Sequence, residues 1–322
     1  MDKVQNAAVS DSTHRKDASR LQEYLNFCES LGINHVNMLP AQEDLLMAWA
    51  TSYAGCFTGK TVGTKISAIR KEHKRRGLPW LGGAQLHQTI KGVEELRPQS
   101  SFRPKRAPVS IAMLMDLNKA LSRSSGLDIC IWAICLLSFF SQLRSGKLLP
   151  PTQHLEMFNP PESTAQNGAY NLHLPWLKTQ KAHGDDVWIP CQEAPLDPIH
   201  AIHKHYIKNK LDLEHPIATH CNTHNRLVTL TRSKFIHWVN HILRATNKGY
   251  PCVTGHCFGI GGTTFYLVSG VPPDMVRKFG HWQSQAFSEY WHCLDYLGAI
   301  HIKLLLLDPG ANCPQQRSLP KA

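Results

Sequence analysis

Through the first hundred residues, apolar side chains recur at helical spacing and seldom alternate. Leu21, Tyr24, Leu25, Cys28 and Leu31 share one face of a helix that Ser12 or Thr13 can cap and Gly32 ends. Leu45, Leu46, Trp49 and Ala50 mark the inward stripe of a second helix over residues 41–53. A third helix is predicted over 59–76 and a shorter one over 86–96. Beyond residue 108 the pattern changes. A helix over 111–122 precedes the longest apolar run, 129–140, interrupted only by Ser138. A helix apolar on every side belongs inside a core, and this one is too short for a bilayer. Alternation follows at Tyr170, Leu172, Leu174 and Trp176, and a second extended run, Val-Trp-Ile, lies within 186–190. Together they predict a β-hairpin with KTQKAHGD at its tip. The remainder is expected to be mostly helical, over 198–209, 231–246, 262–269, 273–279 and 285–292.

Residues 98–108 (PQSSFRPKRAP) are proline-rich, polar and basic without periodicity, the character of a linker. They divide the chain into an all-helical domain, 1–105, a mixed domain, 106–310, and a tail, 311–322. The expected class is mainly α with a small β-sheet. With 322 residues and 42% apolar content, both domains can bury a core. Residues 1–16 are polar and do not read as a secretory signal. Ten cysteines include no CxxC pair, which argues against a disulfide framework or zinc ribbon and for a reducing, intracellular compartment. His200, His203 and His205, or Cys221 and His224, come nearest to a zinc set. Neither has a second pair at finger-like spacing, so structural roles are the better reading and no metal is expected.

Charge narrows the partner. Lys and Arg number 35 against 24 Asp and Glu, a formal +11. The surplus is shared, with 15 basic against 10 acidic residues up to position 105 and 20 against 14 beyond it. Two basic halves fit a polyanion gripped from two sides better than they fit one basic tail. No amphipathic basic helix with an aromatic apolar face is evident, so double-stranded DNA is preferred over a membrane surface. The densest patch is the third helix, where Lys60, Lys65, Arg70, Lys71, Lys74, Arg75 and Arg76 face a single acid, Glu72. A plain solvated face is the bland alternative, but that imbalance favours contact with DNA phosphates. Residues 71–76 (KEHKRR) also have the composition of a nuclear-import patch, which points to the nucleus.

Four segments carry candidate chemistry: QLRSGKLL at 142–149, Lys178 on the hairpin, GHCFGIGGTT at 255–264, and GHW to EYW at 280–291. In order and spacing they resemble the tyrosine recombinase (phage-integrase) family, most closely its eukaryotic branch of fungal and Crypton-like mobile elements. GGTTFYLVSGVPPDMVRKFGHWQSQAFSEYW is the most specific stretch, and the resemblance extends over nearly the whole chain. It implies an all-helical, SAM-like core-binding domain that clamps DNA, followed by a mixed α+β catalytic domain. It also implies a homo-oligomer, a tetramer, on DNA. In such a protein the third helix lies in the major groove, with Thr64 and Lys65 as candidate groove contacts.

The implied reaction needs no metal or high-energy cofactor, because the energy of the broken phosphodiester is kept in a 3′-phosphotyrosyl bond. By resemblance Tyr290 is the nucleophile, Arg144 the first phosphate-binding arginine, and Lys178 the acid that protonates the leaving 5′-oxygen, with Lys181 its substitute. His256 and His281 fall on the two histidines that assist proton transfer and phosphate binding. Each residue alone has a duller reading, as a solvated cation, a satisfied core histidine or a core aromatic. Two positions depart from the family pattern: Gly259 stands where HxxR should close, and Lys147 where an acid should follow Arg144 by three residues. A missing preorganised donor costs about 3–4 kcal/mol of transition-state stabilisation. An impaired active site is therefore expected, with a non-catalytic DNA-binding protein as the alternative. No substitute cation is visible along the chain, the nearest being Lys248 and Arg277. If Gly259 is the only serious lesion, Gly259→Arg should raise covalent product about 10²–10³-fold.

Overall fold

The structure, a computed structural model, describes residues 11–102, 106–150, 163–166, 169–174, 185–212 and 215–280. The chain divides into two units, Met1–Lys105 and Arg106–Ala322.

The described part of the first unit is all helical: α1 (Asp11–Ser30), α2 (Glu43–Thr51), α3 (Gly59–Arg76) and α4 (Ala84–Glu95). Ser12 and Thr13 lie inside α1 rather than capping it. Gly32, at φ 70°, takes the left-handed turn after α1 that a side chain would resist. α3 has the bounds its pattern predicts. The Thr58 hydroxyl accepts from the Thr61 N–H at 3.2 Å at one end, and Gly77, at φ 68°, closes the other. α4 is capped from a distance. The Glu43 carboxylate of α2 accepts from the N–H groups of Gly83 at 2.7 Å and Leu86 at 2.9 Å, placing negative charge on the helix's positive end. Tyr24, Trp49, Ile66, Ile69, Leu86 and Val93 are buried in the shared core, where the Tyr24 and Trp49 rings meet edge-on at 5.2 Å. The buried His73 links α3 to the chain before α2: its Nε2 accepts from the Ala41 N–H at 2.8 Å and its Nδ1 donates to Ile69 O at 2.8 Å.

The second unit is built around α6 (Gly126–Phe140), which has α5 (Ile111–Ala120) before it and the single turn α7 (Ser145–Leu148) after it. From Cys130 to Phe140 nearly every side chain of α6 is buried, as an all-round apolar helix requires. β1 (Ser163–Gln166), β2 (Ala169–Leu174) and β3 (Asp185–Pro190) form one antiparallel sheet in that order. Leu172 faces Val187 across the ladder and Tyr170 faces Ile189; Leu172, Val187 and Ile189 turn inward and Trp188 outward. α8 (Pro198–Asn209) packs on α6, and a short hairpin, β4 (Thr219–Cys221) and β5 (Leu227–Thr229), follows it. α9 (Arg232–Ala245), α10 (Cys257–Val268) and α11 (Pro273–Phe279) complete the described fold.

β2, β3 and the helices match the predicted order, whereas β1 and the β4–β5 hairpin fall in stretches where the pattern predicts neither strand nor helix. Strands of three or four residues are too short to establish a period. α10 also begins earlier than residue 262. Gly259, Gly261 and Gly262 resemble helix breakers in sequence, yet they sit inside α10 where it presses on neighbouring backbone. The predicted helix over 285–292 lies outside the described residues. Among the described residues, no helix is long and apolar enough to cross a membrane.

Candidate functional site

Arg144 is placed by an unusual turn. After α6 the chain passes through Gln142 at φ 51°, a left-handed conformation uncommon for a residue with a side chain. That buried side chain is held from two helices: its amide Nε2 donates to Val276 O of α11 at 3.4 Å, and its Oε1 accepts from the Thr263 hydroxyl of α10 at 2.7 Å. The chain then delivers Leu143 to the core and Arg144 to the surface.

His256 comes to the same place from the other end of the unit. The Ser145 N–H donates to Gly255 O at 3.0 Å, and the Ser145 hydroxyl donates to the same oxygen at 3.2 Å. The loop before it is held by Asn240 of α9, whose Nδ2 donates to Val253 O at 2.8 Å and whose Oδ1 accepts from the Val253 N–H at 2.7 Å. His256 is half-buried at the start of α10. Its pKa is pushed down to about 4, first by burial and then by the positive charges of Arg106, Arg144 and Arg232. The imidazole is therefore neutral at pH 7, able to accept or relay a proton beside a cluster of guanidinium groups.

Gly259 lies one turn into α10, and its surroundings correct an expectation from the sequence. A Cβ there would sit 2.8 Å from Gln142 O and 3.3 Å from Leu143 O. Those are backbone atoms of the turn that aims Arg144, so they cannot swing aside. Gly259 is a close-packing glycine, and Gly259→Arg is not a simple repair. Lys248, the nearest cation along the chain, is engaged elsewhere. Its ammonium donates to both carboxylate oxygens of Asp116, at 2.8 and 2.7 Å, and the Tyr250 hydroxyl shares that carboxylate at 2.6 Å. The cations near His256, besides Arg144, are Arg106, at the end of the proline-rich stretch, and Arg232, which stands in no motif. Lys178, Lys181, His281 and Tyr290 lie outside the described residues. Among the described residues, no group of three or more His, Cys, Asp or Glu side chains is placed to hold a metal.

On α3, Lys60, Thr64, Arg70, Lys71, Lys74, Arg75 and Arg76 are exposed. The charge excess is partly met within the unit. Lys71 pairs with Asp17 at 2.8 Å, and Glu72 accepts from Arg75 and from Arg76 at 2.6 Å, which holds its pKa below the usual carboxylate range. The Arg70 guanidinium lies 5.8 Å from the Trp80 ring centroid. Lys65 is more deeply engaged. It pairs with Glu23, lies 4.8 Å from the Tyr53 ring centroid, and its side chain is only 12% exposed.

The sequence matches no protein-family model and no curated protein. Solved structures do match. The Tn1549 transposon integrase in complex with transposon right end DNA superposes with a TM-score of 0.56 at 11% identity, over 93% of this chain and 96% of that one. The lambda integrase dimer bound to a COC′ core site gives 0.55 at 12% identity, over 90% and 91%. The XerH site-specific recombinase bound to difH gives 0.53 at 14% identity, over 88% and 76%. The fold is that of the tyrosine recombinases. Nearly the full length of each integrase chain is matched, so the tyrosine-recombinase fold here covers both the helical unit and the mixed unit.

Proposed function

We propose that this chain is a DNA-binding tyrosine recombinase homologue of mobile-element origin, from the eukaryotic Crypton-like branch, acting on double-stranded DNA in the nucleus. One observation carries it most. Arg144 and His256, distant in sequence, are stitched together through Ser145 and Gly255 into a guanidinium-rich pocket, within a fold whose solved examples include DNA complexes. In this pocket Arg144 grips a non-bridging oxygen of the scissile phosphate, and a neutral His256 relays a proton. Tyr290 attacks phosphorus while Lys178 protonates the departing 5′-oxygen, leaving a 3′-phosphotyrosyl bond, and His281 supports the phosphate. Exposed residues of α3, Lys60, Thr64 and Lys74 among them, contact DNA, and protomers assemble on it as a tetramer.

A second reading keeps DNA binding and removes strand transfer. It is favoured by Gly259, where α10 leaves no space for the arginine that would close HxxR. A suicide substrate separates the two. Incubated with a pool of nicked duplexes, the chain should form a covalent DNA adduct that Tyr290→Phe abolishes while retaining DNA affinity. An adduct that persists in Tyr290→Phe would assign the wrong nucleophile. Retained DNA affinity with no adduct from the unaltered chain would establish the binding-only alternative.

A further inference from the structure

The pocket contains a cation for which the family resemblance has no role. Arg232 is the first residue of α9, and its backbone N–H donates to Pro150 O at 3.1 Å, tying it to the end of the segment that carries Arg144. Its side chain runs past two glycines. A Cβ built on Gly255 would lie 3.7 Å from Arg232 Cδ, and one built on Gly146 would lie 3.6 Å from its Nη1. Gly255 precedes His256 and Gly146 follows Arg144 by two, so the guanidinium spans the junction where those two residues meet. Arg232 is exposed, and no acidic side chain among the described residues pairs with it.

The placement is mildly unfavourable for a cation, and an anion would relieve it. Arg232 adds positive charge to the positive end of a helix, beside Arg106 and Arg144. A phosphodiester converts that repulsion into attraction. Two guanidinium forks approaching from different elements can each engage a different non-bridging oxygen. The steric wall at Gly259 closes the usual route for a second arginine from α10, while the first turn of α9 opens onto the same pocket.

We propose that Arg232 is the second phosphate-binding arginine of this site, gripping the scissile phosphate together with Arg144. The inference rests on the reading of the pocket as a DNA-phosphate site, and its test keeps the two apart. Affinity of the full chain for mixed-sequence duplex DNA is measured against salt concentration for the unaltered protein, Arg144→Ala, Arg232→Ala, Arg232→Lys and Arg244→Ala. Each lost cation should reduce the slope of log affinity against log salt, by at most about 0.9 since the two arginines share one phosphate. Arg144→Ala and Arg232→Ala should each show that loss. Arg232→Lys, which keeps the charge, should retain the slope, and Arg244→Ala, at the far end of α9, should not change it. Adduct formation on the nicked pool should fall about 10²–10³-fold in Arg232→Ala and stay low in Arg232→Lys, which lacks the planar fork. If Arg144→Ala lowers the slope and Arg232→Ala does not, the role of Arg232 is overturned and the pocket stands. If neither lowers it, the pocket itself is misassigned and the proposal falls with it. Adduct formation that is unchanged in Arg232→Ala removes Arg232 from the chemistry. Since Arg232 is exposed, its variants should melt with the unaltered chain, and a lower melting temperature would show a structural role instead.

Discussion

At Gly259 the missing side chain is a packing requirement. α10 approaches the Gln142 turn so closely that any Cβ meets a carbonyl oxygen at 2.8 Å. Gly259→Ala should therefore destabilise the chain by about 1–3 kcal/mol, the usual cost of overpacking, and Gly259→Arg by more. Urea denaturation measures this directly. A Gly259→Arg protein as stable as the original would show that the turn can yield, and would restore the idea of a one-residue repair. Around the same pocket, legibility from sequence was uneven. Arg144 and His256 stood in recognisable motifs. Arg232 stood in none, because its place depends on α9 starting next to Pro150, a contact that no local pattern encodes. Gln142 was passed over for a similar reason: its left-handed backbone is held by Thr263 and Val276, both remote in sequence.

Among the elements, α3 shows how a charge count can overstate a surface. Four of its seven basic residues are paired with Asp17, Glu23 or Glu72. Lys71, Arg75 and Arg76 are themselves exposed, but the carboxylates they meet are largely buried, so exchanging Glu72 for a phosphate would leave a buried charge unpaired and these cations are poorer DNA contacts than Lys60 and Lys74. Lys65 differs, being packed against Tyr53 and Phe57. Replacing Lys60 and Lys74 together should flatten the salt dependence of DNA binding by about 2, one contact each. Lys65→Ala should instead lower the melting temperature and move that slope less. Equal slopes for the unaltered chain and the Lys60/Lys74 double variant would remove this face from the interface. The bounds of α3, α8 and α11 were readable because a cap, a proline or a left-handed residue marks their ends. The β4–β5 hairpin was not, since its turn is set by the Asn222 side chain, which accepts from the His224 N–H at 2.9 Å and the Arg226 N–H at 3.0 Å.

For the molecule as a whole, two separate hydrophobic cores mean that conditions can act on one unit alone. Acid is such a condition for the second unit. His205 is fully buried between α8 and β4; its Nε2 donates to Ile217 O at 2.9 Å, and its Nδ1 accepts from Asn209 Nδ2 at 2.9 Å. The same Asn209 amide donates to Gly126 O at 3.1 Å, and its carbonyl accepts from the Cys221 N–H at 2.7 Å, so one network joins α6, α8 and β4. Burial pushes the His205 pKa down to about 4. Unfolded, it titrates near about 6.5. Between those values the unfolded chain binds a proton that the folded chain refuses, so stability must fall as pH drops from about 6.5 towards about 4. The full shift corresponds to about 3 kcal/mol. His256 acts in the same direction but more weakly, being partly open to solvent. Thermal melts of the full chain between neutral pH and pH 4.5 should show the transition of the second unit moving down. In His205→Gln, which retains an amide donor but cannot take up a proton, that movement should shrink. A pH dependence identical in His205→Gln and the unaltered chain would assign the acid sensitivity to other groups.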